Sequence, residues 1–351
     1  MAEIETFMSV SAGDIEKIMG IEDGDIEKVM GVEIPAGAPA WEGVRAMTHG
    51  RNASGRHKEI LTRTISVSGS NATDYGDLSD NLSNSDIGGI SDSVRMVTCG
   101  GYNSSALIDF VNVSSFASSG SGAVFQDEGT ADTAKRSGGA SASNGTTGVV
   151  CVNGYNSGML NTGWYITIGS TGTMAATGNS SITRSEPMGI SNATYGWICG
   201  GFTDDAGNWI NENRIERFSF SSPTNAAIDA GNLSVARGYA APGEDSTRAV
   251  LAGGGESIMD VIDYFNTSTG ADAADFGDCV TNLQYAGGVS NGTIFEMWSG
   301  SSGTNTRGNW IHYITIQSTG NASDTGDTCT WESSSASQTG AATHAMASGV
   351  N

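Results

Sequence analysis

Short apolar segments alternate with polar turns along most of this chain. In one clear stretch, residues 285–291, 293–300, 311–317 and 321–327 are bounded by glycine, asparagine, serine or aspartate. The two middle segments are rich in β-branched and aromatic residues, which is typical of strands. The pattern therefore predicts a unit of four short β-strands, here called A to D in chain order.

This four-stranded unit recurs along the chain with a regular spacing. A glycine near strand D falls every 46 to 53 residues, at Gly76, Gly129, Gly178, Gly231, Gly277 and Gly326. Strand B ends in the glycine pairs Gly100-Gly101, Gly200-Gly201 and Gly253-Gly254. Glycine weakens a strand unless another backbone must come close. The repeat length, the four strands and the glycine pairs together predict an all-β protein with a β-propeller fold.

The number of blades follows from counting the segments. There are six C segments but seven B-like segments, the first at 44–50 and the last at 343–349. The first B segment lacks an A partner, and the last A segment, at 333–338, lacks C and D. We predict six four-stranded blades, with the C-terminal end completing the first; seven blades is the alternative.

Residues 1–40 do not belong to the repeat and contain a tandem of their own. Asp14-Ile-Glu-Lys-Ile-Met-Gly20 is followed by Asp25-Ile-Glu-Lys-Val-Met-Gly31. The aspartates suit helix N-caps and the glycines suit C-caps. Apolar residues at i, i+3 and i+4 predict one apolar face on each of two short α-helices. These faces consist of Ile15, Ile18 and Met19, and of Ile26, Val29 and Met30.

Such short helices are marginal in water and need a surface to pack on. They either pack on the propeller of the same chain or dock into another protein. The linker that follows, residues 33–40, contains Pro35 and Pro39, and such a spacer favours separation. The predicted domains are therefore a helical docking segment with its linker, 1–40, and a β-propeller, 41–351.

Charge and targeting signals restrict the partners. The 351 residues include 16 Lys+Arg and 38 Asp+Glu, a formal net charge of -22. Such a surface repels nucleic acid and anionic membranes, so neither is a predicted partner. The sequence has no transmembrane-length apolar run and no signal-peptide pattern. Five cysteines without metal-type spacing indicate synthesis in a reducing cytoplasm.

We find no catalytic or cofactor motif in the sequence. The histidines His49, His57, His312 and His344 form no zinc pattern. The Asp-x-Gly-Asp segments at 74–77, 275–278 and 324–327 favour turns, although a glycosidase interpretation also exists. We therefore predict a non-enzymatic protein with no metal and no cofactor; a weak Ca²⁺ site at these turns is left open.

The B–C loops are the most variable and are the expected place for recognition. The longest, at 202–213, carries an aromatic ring beside amides and carboxylates, a combination that suits sugars. Candidate ligand residues in these loops are Tyr102, Tyr155, Asn208, Trp209 and Trp310. The alternative is that Trp209 and Trp310 fold back onto the core.

The glycine pairs, each followed by a later aromatic residue, resemble kelch-like propellers. The later aromatics are Phe110, Trp164 or Tyr165, Phe218, Tyr264 and Tyr313. The N-terminal tandem ahead of glycine-rich repeats resembles virion proteins of tailed bacteriophages. The resemblance implies a structural role as a tail fibre, a tail appendage or a capsid decoration, made in the host cytoplasm and present in the virion as a homo-oligomer or in multiple copies.

In this interpretation residues 1–34 bind other virion proteins and the propeller faces outward. One alternative is a receptor-binding module for a host-surface glycan or protein, and another is a surface-glycan hydrolase. Aromatic B–C loops favour the receptor-binding module, whereas the hydrolase needs paired acids that the sequence does not display.

Overall fold

β-Strands make up every regular element that the structure, a computed structural model, describes. It describes four two-residue strands before residue 34 and then residues 45–51, 57–69, 71–82, 88–92, 95–99, 102–103, 106–107, 110–115, 123–124, 126–130, 139–154, 158–169, 174–255, 257–303 and 306–328. The chain divides into two compact units, Met1–Glu42 and Gly43–Asn351. The predicted all-β class is confirmed for the described part of the larger unit.

The tandem in the N-terminal unit forms two small antiparallel ribbons. Strands β1 (Lys17–Ile18) and β2 (Ile21–Glu22) pair through Ile18 and Ile21, and β3 (Lys28–Val29) and β4 (Val32–Glu33) pair in the same register. The two helices predicted here are therefore wrong at the residues that the structure describes. Ile15, Met19, Ile26 and Met30 lie outside those residues, while Ile18 and Val29 lie in strands.

Two features explain why the ribbons form in place of helices. A helix must first fix a costly nucleus, and a segment of this length cannot recover that cost. Each register leaves two positions between the paired residues, and these are Met-Gly in both copies. Glycine is favoured in two-residue hairpin connections, and β-branched residues are favoured in strands. The glycines therefore match a hairpin connection as well as a helix cap.

The described residues of the larger unit form six four-stranded sheets, numbered here in chain order. Sheet 1 begins with β5 (Arg45–Arg51), β6 (His57–Thr64) and β7 (Thr73–Leu82); sheet 2 and its loops contain β8 (Gly88–Ser91), β9 (Arg95–Cys99), β10 (Tyr102–Asn103), β11 (Ala106–Leu107), β12 (Phe110–Ser115), β13 (Ala123–Val124) and β14 (Gln126–Thr130); sheet 3 contains β15 (Ala140–Ser143), β16 (Thr147–Val152), β17 (Trp164–Thr167) and β18 (Ala175–Ala176).

The last three sheets follow the same order. Sheet 4 and its loop contain β19 (Met188–Ser191), β20 (Tyr195–Cys199), β21 (Phe202–Asp205), β22 (Asn208–Asn211), β23 (Arg214–Ser219) and β24 (Ile228–Asn232); sheet 5 contains β25 (Ala241–Glu244), β26 (Arg248–Ala252), β27 (Met259–Asn266) and β28 (Ala274–Leu283); sheet 6 contains β29 (Gly287–Ser290), β30 (Ile294–Gly303), β31 (Thr306–Thr315) and β32 (Ser323–Asp327). Strands β10 with β11 and β21 with β22 form separate ribbons in the B–C loops.

Neighbouring sheets pack face to face through shared apolar layers. Strand β26 shows why, because its side chains alternate between two layers. Ala249 and Leu251 enter the layer shared with sheet 4, whereas Val250 and Ala252 enter the layer shared with sheet 6. A strand covered on both faces is apolar at every position, not at alternate ones. This explains the continuous apolar B segments in the sequence.

In the part of the chain that the structure describes, five such layers connect the sheets in the order 2, 3, 4, 5, 6, 1. The last of them joins Val289, Trp298 and Ile311 of sheet 6 to Ala46 and Leu61 of sheet 1. Sheets 1 and 2 are linked differently, because β13 leaves the C–D connection of sheet 2 and pairs in parallel with β7 at the edge of sheet 1. Sheets that pack in succession in this way form a β-propeller arrangement.

The A strands form the inner contacts of this arrangement. Strands β8, β15, β19, β25 and β29 each contact the next, and β29 contacts β5. A Cβ atom on Gly189 would lie 2.0 Å from the carbonyl oxygen of Ser141, and one on Gly288 would lie 1.9 Å from that of Pro242. These distances leave no room for a side chain, so glycine at these two positions sets how closely the inner strands approach.

The glycine pairs at the ends of the B strands have a related role. Gly200, Gly201, Gly253 and Gly254 all have left-handed backbone conformations, and a Cβ on any of them would lie less than 3.0 Å from a backbone atom of a neighbouring segment. The predicted close approach is confirmed for these two pairs. Gly100-Gly101 lies outside the described residues.

Replacing Gly288 with alanine tests the inner contact. We expect Gly288→Ala to lower the free energy of unfolding by about 1–3 kcal/mol or to prevent folding, because the inner strands must separate to admit a methyl group. Gly169→Ala is the matched control, since a Cβ there has no neighbour within 4 Å. Denaturant titration measures both, and equal stability of the two variants would contradict the close approach.

Candidate functional site

Two buried ion pairs fasten the segments that lead into the A strands. Arg184 donates from Nη2 to Glu216 Oε2 in sheet 4, and Arg237 Nη2 lies 3.1 Å from Asp263 Oδ2 in sheet 5. All four side chains are fully buried. Burial lowers the pKa of both arginines, and the facing carboxylate opposes that shift. The arginines stay charged because each has a carboxylate partner.

Sheet 6 has no such ion pair. The residues that pair across from strand B are Glu216, Asp263 and His312 in sheets 4, 5 and 6, in the same register. Leu283, four residues before β29, is the counterpart of Arg184 and Arg237, which lie four residues before β19 and β25. The repeat therefore carries an arginine–carboxylate pair in sheets 4 and 5 and leucine with histidine in sheet 6, and sequence analysis missed this position because the partners are far apart in the chain.

A third buried pair crosses from sheet 6 to sheet 1. Arg63 Nη2 lies 3.0 Å from Glu296 Oε1, and Glu296 also accepts hydrogen bonds from Trp298 Nε1 at 2.8 Å and from the Ser66 amide at 3.1 Å. Burial raises the pKa of Glu296, and Arg63 and these donors oppose that shift. The Glu296 carboxylate thus lies in the otherwise apolar layer between sheets 6 and 1. Three groups donate to it there, from Arg63, Trp298 and Ser66.

A row of aromatic rings lies at the end of the propeller that carries the B–C loops. The ring centroids of Trp209 and Phe202 are 5.6 Å apart, those of Phe202 and Tyr239 are 4.7 Å apart, and those of Tyr239 and Tyr285 are 4.2 Å apart. The row crosses three sheets, since Tyr239 and Tyr285 each lie two residues before an A strand. The Tyr285 amide donates to the Tyr239 carbonyl at 3.0 Å, which joins the sheets at this end.

The two tyrosines of the row have an unusual backbone. Their φ angles are 59° for Tyr239 and 57° for Tyr285, and Glu186, at the same place before β19, has a φ of 54°. A left-handed conformation costs a non-glycine residue roughly 1–2 kcal/mol. Such strain persists where the surroundings hold it, and it is concentrated at functional positions. Nothing in the sequence indicated these conformations, because tyrosine and glutamate are not residue types that favour a left-handed φ.

The first ring of the row belongs to the ribbon of β21 and β22. Ala206 and Gly207 connect these strands, and both have positive φ, as a type I′ turn requires. The Asp204 carboxylate accepts the Gly207 amide at 2.7 Å and secures the turn. Trp209 is 42% exposed, and Asn208 beside it is also exposed. The ribbon therefore presents an aromatic and an amide side chain to solvent.

The other predicted ligand residues have different environments. Trp310 is partly buried, packs on the layer between sheets 5 and 6, and stacks on His312 with ring centroids 5.7 Å apart. This environment matches the alternative that Trp310 belongs to the core. Tyr102 begins β10 and pairs with Leu107, and Tyr155 lies outside the described residues. Only Asn208 and Trp209 are therefore placed together at a described surface.

The described thiols have no reactive environment. Cys199 and Cys279 are buried, and burial raises the pKa of both to about 12. A thiol in that state is a poor nucleophile and metal ligand. Among the described residues, no group of three or more histidine, cysteine, aspartate or glutamate side chains is placed to hold a metal ion. No helix capable of spanning a membrane occurs in the part of the chain that the structure describes.

No protein-family model matches this chain, and no curated protein is detectably similar to it.

Neutralising one partner of a buried ion pair tests its role. We expect Glu216→Gln to lower the free energy of unfolding by about 3–5 kcal/mol, because the Arg184 guanidinium stays buried without its counter-charge. The double variant Arg184→Gln/Glu216→Gln leaves no buried charge without a partner, so its free energy of unfolding should fall less than that of Glu216→Gln. Urea denaturation compares the variants, and a double variant less stable than Glu216→Gln would contradict this explanation.

His312 predicts a dependence of stability on pH. Burial lowers its pKa from the usual 6.5, while Asp324 opposes this. As the pH falls, His312 is therefore protonated near pH 6.5 in the unfolded chain but only at lower pH in the folded chain. The contribution of neutral, buried His312 to the free energy of unfolding is complete above pH 6.5 and is lost as the pH falls below it.

We expect the wild type to lose more stability between pH 7 and pH 5 than His312→Gln does. Denaturant titrations at each pH give the free energy of unfolding, and its slope against pH is determined for both proteins. The difference between the two slopes isolates the contribution of His312 from that of other titrating groups. Parallel slopes for the two proteins would contradict the assignment.

Proposed function

We propose that this protein is a non-enzymatic structural protein of a tailed-bacteriophage virion. Its N-terminal unit attaches it to the particle and its propeller is displayed outward, as a tail fibre, tail appendage or capsid decoration. The observation that carries this proposal is the division into a small tandem unit, Met1–Glu42, and a separate propeller unit. The tandem motif ahead of glycine-rich, kelch-like repeats, which resembles phage virion proteins, adds support.

The ribbons of the N-terminal unit give attachment a physical basis. A two-stranded ribbon is marginally stable alone in water. Within the described residues, β1 pairs only with β2, and β3 only with β4. Strand edges without a neighbour are templates for pairing with another chain. We infer that a virion protein adds strands or an apolar surface to these ribbons, with Ile18 and Val29 near the contact.

The propeller is proposed to be a six-bladed ring. Six four-stranded sheets, the layer between sheets 6 and 1 and the β13–β7 pairing support this count. Sheet 1 has strands equivalent to B, C and D, with β5 at its inner edge. In this proposal the C-terminal segments at 333–338 and 343–349, outside the described residues, complete the inner edge of sheet 1.

Receptor binding is the second candidate, and the aromatic row favours it. Trp209 is 42% exposed at the tip of a ribbon, and it leads to two tyrosines held in strained conformations. Aromatic faces beside amide and carboxylate groups suit a glycan or a protein surface. Nothing among the described residues favours the third candidate, a glycan hydrolase.

Removing residues 1–34 tests attachment. We expect the truncated protein to fold, because the propeller has its own apolar layers, but to be absent from particles assembled in infected cells. Full-length protein carrying Trp209→Ala is the control and should be incorporated normally. Mass spectrometry of purified particles measures incorporation, and normal levels of the truncated protein would overturn the proposal.

A further inference from the structure

A polar cleft lies at the end of the propeller opposite the aromatic row. It has a volume of ≈ 700 Å³ and is lined by the A–B turns of sheets 4, 5 and 6 and the C–D turns of sheets 5 and 6. In an antiparallel sheet these turns share one end, while the B–C loops occupy the other. The cleft is therefore separate from the row of Trp209, Tyr239 and Tyr285.

One residue of the cleft breaks the pattern of the repeat. The last residue of the A strand is serine in four sheets, at Ser91, Ser143, Ser191 and Ser290, whereas sheet 5 has Glu244. Where this position is serine, the hydroxyl joins neighbouring inner strands, as Ser143 Oγ does with the Ser91 carbonyl at 3.0 Å. Sheet 5 thus carries a carboxylate at the position where the A strands of sheets 2, 3, 4 and 6 carry a serine hydroxyl.

The Glu244 carboxylate is held in a defined position. Its Oε1 accepts a hydrogen bond from Ser191 Oγ at 3.2 Å, and the Glu244 carbonyl accepts one from Ser290 Oγ at 2.5 Å. Both the side chain and the backbone of Glu244 are therefore fixed by the adjacent sheets. A fixed carboxylate binds with a smaller loss of conformational entropy than a mobile one.

The turns around Glu244 are also rigid. Asn192, Asp245 and Asn291 each accept two backbone amides of their own turn, at 2.7–3.0 Å. Gln317 donates to Asp245 Oδ2 at 2.5 Å and so connects the turns of sheets 5 and 6. The cleft is therefore preformed, as ligand sites usually are.

We propose that this cleft binds a neutral saccharide, with Glu244 as its central hydrogen-bond acceptor. The lining supplies hydroxyl groups from Ser191, Thr247, Thr267, Ser268 and Ser290, together with Tyr195, one face of whose ring is covered by the Arg217 guanidinium at 4.6 Å. Carboxylate and hydroxyl groups exchange hydrogen bonds with sugar hydroxyls, and a tyrosine ring adds an apolar face with a polar edge. No lysine or arginine lines the cleft, and two carboxylates do.

This electrostatic environment selects among saccharides. Glu244 and Asp245 repel a sialylated, sulfated or phosphorylated glycan at close range, and no cation is part of the lining beside them. An uncharged hexose or N-acetylhexosamine meets no such repulsion. The inference concerns only the isolated protein, so it stands or falls independently of the proposed place in a virion.

A binding experiment with full-length protein tests the inference. The probes are a glycan array of neutral, N-acetylated, sialylated and sulfated oligosaccharides, followed by calorimetric titration with the best neutral binder. Glu244→Ser restores the serine of the other sheets and should fold, and we expect it to weaken binding about tenfold or more. Val280→Ala, at an exposed position of the outer strand β28, is the control and should leave this affinity unchanged, and Trp209→Ala tests whether the aromatic row takes part.

Each other outcome overturns the inference. These outcomes are an array without neutral binders, a preference for anionic glycans, or an affinity that Glu244→Ser leaves unchanged. Loss of binding in Trp209→Ala with full binding in Glu244→Ser would assign the saccharide to the aromatic row. Folding of every variant is verified by circular dichroism and by urea denaturation.

Discussion

The shared apolar layer between neighbouring sheets is the constraint on which this fold depends. Strand β26 illustrates it, since Leu251 faces sheet 4 while Val250 faces sheet 6. A sheet that is apolar on both faces cannot stand alone in water, so each needs a neighbour on either side. An open stack would leave two apolar faces at its ends. Packing of sheet 6 on sheet 1 covers one apolar face of each of these sheets, so this contact is part of the energetics of the fold.

Three of the buried charges that the structure describes have a fixed partner of opposite sign. Arg184, Arg237 and Glu296 are each fully buried, and each faces an opposite charge. Such pairs add little net stability compared with apolar packing, but they penalise arrangements in which the partners are separated. The Arg63–Glu296 pair has this role between sheets 6 and 1. The ion pairs of sheets 4 and 5 hold the segments that place Tyr239 and the Glu186 backbone at the aromatic end.

The propeller architecture was predictable from the sequence, and much of the site was not. Continuous apolar B segments reflect burial on both faces of a strand, and regularly spaced glycines reflect close backbone contact. Both patterns can be recognised in a single sequence.

The N-terminal helices were wrong because residues such as Ile18, together with Gly20, fit a helix face and cap as well as a hairpin. Trp209 was named as a candidate because its loop is long and polar. Tyr239 and Tyr285 were missed because their left-handed backbone is imposed by neighbouring sheets. Glu244 was also missed, since its departure from serine is recognised only when the A strands are aligned, and its position on the cleft required the structure.

A double-mutant cycle between Arg63 and Glu296 tests most directly the packing of sheet 6 on sheet 1, on which the proposed ring depends. These residues belong to the first and last described sheets and lie 3.0 Å apart across the layer that joins them. Stabilities of the wild type, Arg63→Met, Glu296→Gln and the double variant give their coupling energy. The account predicts a coupling of about 0.5–3 kcal/mol, as found for residues in one buried network. Additive effects of the two substitutions would show that Arg63 and Glu296 do not interact across this layer and would contradict the packing of sheet 6 on sheet 1.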